Sequence, residues 1–109
     1  MALDLKGLGD DLFNIGMNAL EEMKPSAEDR EKLLRYTAGL TGVLGKVALA
    51  SSDKERADLL KEAHDFRDAL NLKAGQYAVK AGAAKDRALA EGLQAFATTA
   101  LKFVVAALL

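Results

Sequence analysis

His64 is the only imidazole in the chain, so any histidine-based acid–base or nucleophilic chemistry would have to be built around it. Its neighbours do not supply the rest of such a site. Asp65 is adjacent and points to a different side of a helix, while Lys61 and Asp68 flank the same strip as surface charges. His64 therefore reads as a half-exposed surface residue. A di-iron centre in a helical bundle needs Glu-x-x-His pairs one turn apart, and the sequence contains none. The nearest arrangement, Glu62-x-x-Asp65-x-x-Asp68, reads as a solvated acidic line. Asp10-Asp11 and Glu21-Glu22 are carboxylate pairs, but adjacent helical residues lie about 100° apart and do not face each other. Gly42-Val43-Leu44-Gly45-Lys46 has the glycines and lysine of a phosphate loop without its spacing or its preceding strand. The absence of cysteine removes thiolate metal sites, iron–sulfur clusters and cysteine nucleophiles. The expectation is a protein that is not an enzyme and takes no metal or cofactor.

The composition supports a folded, balanced protein. The chain has 109 residues, enough for one domain, and 50% are hydrophobic against 28% charged. Fifteen basic and sixteen acidic residues give a formal charge of −1, so the bulk positive potential that drives nucleic-acid binding is missing. Acidic residues near the start, without a continuous apolar run, do not read as a secretion signal, and the expected location is cytoplasmic.

The elements that would position these residues are all helical. Apolar residues recur at steps of three and four almost throughout, with no strand-like alternation. A first helix is expected from Leu3 to Met23, with Leu5, Leu8, Leu12, Ile15 and Ala19 on one stripe and Phe13, Gly16, Leu20 and Met23 on a second. Pro25 ends it. Ser26 caps a second helix, with Asp29 in the capping-box position and a seam of Leu33, Thr37, Leu40, Leu44 and Val47. Ser52 and Glu55 form the capping box of a third helix, whose seam is Leu59, Ala63, Phe66, Leu70, Ala74, Tyr77 and Ala81. A fourth helix carries Leu89, Leu93, Phe96, Ala100, Phe103 and Ala107. The boundary at Gly82-Ala83-Ala84 is weakly marked, so the third and fourth helices read either as separate elements or as one rod. Separate helices allow an antiparallel four-helix bundle with short loops, and this is the expected all-α fold. Asp29-Arg30, Glu55-Arg56 and Asp86-Arg87 repeat near the helix starts, where acids suit the positive end of the helix dipole.

Three features go beyond a generic bundle. Nine glycines include Gly39 and Gly42 within the second helix, where a missing side chain lets another backbone approach. Residues 1–31 hold eight acids and three bases, a net −5, against eight acids and twelve bases in residues 32–109, a net +4. Such asymmetry either orients one subunit on another or is neutralised within the molecule, and the second is preferred. Lastly, the polar strip Glu91, Gln94, Thr98, Lys102 fades out: steps of seven from Thr98 and Lys102 reach Val105 and Leu109. The chain's end is apolar all round, more than one face of a small monomer buries, so it either packs into a groove between the chain's own helices or meets a partner or a membrane surface. The expected partner is a second copy or another helical protein, met through Phe103, Val104, Val105, Leu108 and Leu109 with Gly39 and Gly42. Insertion of the fourth helix into a membrane surface ranks second: Leu93–Leu109 is shorter than the ~20 residues that span a bilayer and includes Lys102.

Overall fold

A computed structural model describes residues 4–23, 25–81 and 84–108. Its four helices are α1 (Leu5–Met23), α2 (Ala27–Val47), α3 (Asp53–Ala81) and α4 (Ala84–Leu108). Helix α1 starts two residues later than its apolar pattern suggests. Asp4 is the reason: its Oδ1 accepts from the Gly7 amide at 2.9 Å and its carbonyl accepts from Leu8 at 3.0 Å, which makes it the N-cap. Ser26 caps α2 as expected, with its Oγ accepting from the Asp29 amide at 3.3 Å. The Asp29 carboxylate does not close the box but leaves for Lys73 on α3, 2.6 Å away. Ser52 accepts from the Glu55 amide at 3.1 Å, and the Glu55 carboxylate reaches one residue further, to the Ser51 amide at 2.9 Å. The acid-to-base pairs Glu28–Lys32 and Glu31–Arg35 form along the outside of α2.

Sequence neighbours pack side by side and run antiparallel. Gly9 meets Thr41 and Gly16 meets Thr37 between α1 and α2, while Lys46 pairs with Glu62 and Asp29 with Lys73 between α2 and α3. Gln94 donates to the Asn71 carbonyl at 3.0 Å, so α4 folds back along α3 and a single continuous rod is ruled out. The bundle is rhomboid in section: α2 and α4 touch across one diagonal, while α1 and α3 occupy the far corners. Its long dimension, 45 Å, matches the ~43 Å expected of a 29-residue helix such as α3.

Tyr77 links those far corners at one end. Its hydroxyl donates to the Met23 carbonyl at 2.6 Å. That carbonyl belongs to the last turn of α1, where backbone acceptors lack helical partners and Pro25 offers no amide. Burial of the phenol pushes its pKa up.

The core is aliphatic and closed, with Leu20, Leu33, Leu40, Leu44, Leu70, Leu93 and Val104 fully buried. The α2 seam is as the periodicity predicts. Two others are met in part: Leu12, Gly16, Leu20 and Met23 of α1 and Leu93 and Ala100 of α4 are buried as expected. In α1 the buried line is Gly9, Leu12, Gly16, Leu20 and Met23, and Ile15 stands 56% exposed. In α4 it is Ala90, Leu93, Ala97, Ala100 and Val104, one position away from the Leu89–Phe96–Phe103 line. The alanines of α4 take the buried centre, while Phe96 is half-buried and Phe103 exposed at its flanks.

Candidate functional site

The titratable residues do not converge. His64 is half-buried on the side of α3, and each carboxylate of the neighbouring acidic line has its own base. Glu62 pairs with Lys46 at 2.8 Å, Asp65 with Lys61 at 3.1 Å and Asp68 with Arg67 at 2.7 Å. Among the described residues, no three His, Asp or Glu side chains are grouped as a metal would require. Gly42–Lys46 lies inside α2, where its amides are committed to the helix.

The most enclosed ion pair is Asp29–Lys73, with side chains only 18% and 15% exposed. The lysine's hydrogen bond holds the Asp29 carboxyl below its ordinary range, and the carboxylate in turn raises Lys73. Glu28, Asp29 and Glu31 thus find bases in Lys32, Lys73 and Arg35. Asp10, Asp11, Glu21 and Glu22 on α1 find none among the described residues.

The residues expected at an interface divide into two groups. Val104 is fully buried in the chain's own core and unavailable to a partner. Gly39 is also used internally: a Cβ there would collide with the Phe66 ring, so the missing side chain lets α3 close on α2. Val105 and Leu108 are half-buried beside Asp53, Ala57 and Leu60 at the start of α3. Leu109 lies outside the described residues. Phe103, at 41% exposure, and Gly42, which has nothing within 4 Å of where a Cβ would sit, remain at the surface.

Several surfaces are left open, Leu72 and Val79 of α3 among them, and two bear most on a partner contact. One is a groove of about 530 Å³ between α1 and α2, floored by Gly9, Gly42 and Gly45 and walled by Phe13 and Leu49. The other is the outward face of α4. Ala88, Gly92, Ala95, Thr99, Lys102 and Ala106 follow one another at steps of 4, 3, 4, 3 and 4, and all are exposed. Gly92 has open space where its side chain would be, yet glycine within a helix costs up to about 1 kcal/mol relative to alanine. Sequence reasoning followed the polar strip of this helix but not this row of small residues, which is visible only once the buried side is known. No family model, curated protein or solved structure matches this chain.

Proposed function

We propose that this chain is a non-enzymatic helical protein that acts by protein–protein contact, joining copies of itself or serving as one unit of a multi-copy assembly. The observation that carries this reading is the outward face of α4, a row of small exposed residues bordered by Phe103. Small residues let a second helix approach closely, and the aromatic edge adds apolar area at about 25 cal/mol per Å², less the cost of association. The partner is a second copy or another helical protein. Nucleic acid is disfavoured by the balanced charge.

A second reading, association with a membrane surface, draws on the fact that α4 is long and apolar enough to cross a bilayer by length and composition alone. Against it, Leu93, Leu101 and Val104 face the core, so insertion would require the bundle to open.

Light scattering of the purified protein tests the first reading. Wild type is expected to form a defined oligomer, and Phe103→Ser with Gly92→Leu is expected to shift it to monomer while the helical circular dichroism is unchanged. Truncating the last residues would confound the result by removing part of the core at Val104. A monomer at every concentration overturns this reading, and binding of that monomer to lipid vesicles would favour the second.

A further inference from the structure

Resting on the reading above, we infer that two copies of this chain pair through the outward faces of α4, antiparallel about a two-fold axis level with Ala97. The residues on that face are arranged symmetrically about their midpoint. Reflected through position 97, Ala88 falls on Ala106, Gly92 on Lys102 and Ala95 on Thr99. The row spacing of 4, 3, 4, 3 and 4 is the same read from either end, so a reversed copy can lie along it in register, each residue i meeting j while j meets i.

The charges follow the same symmetry. Between Glu91 and Lys102 the helix carries no charged residue. Both are exposed, and neither takes part in an ion pair among the described residues. They are eleven residues apart, close to three full turns, so they share one side of the helix. When α4 is turned end for end, Glu91 comes within one residue of direct opposition to the partner's Lys102. The two-fold repeats the pair at the other end. A parallel pairing would instead set Glu91 against Glu91 and Lys102 against Lys102, which repel. Gly92 and Ala95 let the two backbones approach at the centre, and the antiparallel helix dipoles add a small favourable contribution. The charge pattern therefore complements a second copy of the chain in the reversed direction and opposes the parallel one.

A charge exchange measured by sedimentation equilibrium at low salt tests this pairing. Glu91→Lys and Lys102→Glu are each expected to weaken the dimer about tenfold or more, since each sets two like-charged pairs in opposition. The double variant E91K/K102E restores opposite charges and is expected to return the affinity to near the wild-type value. Both positions are exposed, and Gly92→Leu, whose side chain enters open space, provides a route to dissociation independent of charge. A wild-type dimer indifferent to both single exchanges overturns this register while leaving self-association standing. A wild type that never dimerises overturns both, whether or not it binds vesicles.

Discussion

Thr37 is buried between α1, α2 and α4, and its hydroxyl has no partner among the described residues. Its methyl group is the part the fold uses, seated against Gly16. The backbone carbonyl of Thr37 is satisfied separately by the Thr41 hydroxyl at 2.9 Å. An unpaired buried hydroxyl costs on the order of 1 kcal/mol or more, so Thr37→Val is expected to stabilise the protein by about 1 kcal/mol in urea unfolding. The Asp29–Lys73 pair makes a prediction of a different kind. With its folded pKa depressed, Asp29 contributes stability that is present above its ordinary value of 3.8 and is lost as the pH falls through the lower folded value. Asp29→Asn is therefore expected to lower the thermal midpoint at neutral pH, with the difference closing in strong acid. Tyr77 responds at the other extreme. Because burial raises its pKa, its contribution is intact below 10.0 and fades as the pH climbs through the raised value.

At the level of the element, glycine separates what the sequence made legible from what it concealed. The α2 seam was readable because Leu33, Thr37, Leu40, Leu44 and Val47 all carry side chains that mark the buried side. In α1 the contact with α2 depends on Gly9 and Gly16, where an added Cβ would lie 2.7 Å from the Thr41 carbonyl oxygen and 2.6 Å from the Thr37 methyl. Gly16 was marked by its place beside Leu20 and Met23, but Gly9 has no side chain to mark it, and Ile15 shares the period of Leu8 and Leu12 while facing outward. In α4 the large rings of Phe96 and Phe103 drew the expected seam one position away from the alanines that make the closest contact. The Tyr77–Met23 link joins residues 54 apart and left no local signal. The same contrast gives a paired prediction. Gly39→Ala is expected to destabilise by about 1–3 kcal/mol through collision with the Phe66 ring, whereas Gly92→Ala is expected to stabilise the monomer by up to about 1 kcal/mol. Chemical denaturation under monomeric conditions compares the two directly.

For the whole molecule, the four-helix architecture was legible from caps and periods, because Pro25, Ser26 and Ser52 mark two of the three helix junctions. Which face of α4 would be left open was not, since that depends on how three neighbours share one helix. The chain's end is covered more completely than its composition suggests: Val104 is enclosed, and Val105 and Leu108 are half-covered by α3. Among the described residues of α4, the open surface therefore lies along the side of the helix. A contact along that side leaves the α1–α2 groove and the exposed Leu49 beside it free for a second, different contact. An assembly of more than two copies would need one of that kind.

Intermolecular distances between spin labels test the antiparallel pairing most directly, and the cysteine-free sequence allows single-site labelling without background. Ala88→Cys and Ala106→Cys place labels at the two ends of the open face of α4. Antiparallel pairing predicts short distances when the two labelled proteins are mixed. It predicts separations of about 27 Å or more along the helix when either is measured alone, the rise of 18 residues. Short distances in the Ala88-only sample, or no intermolecular distance in any sample, would contradict it.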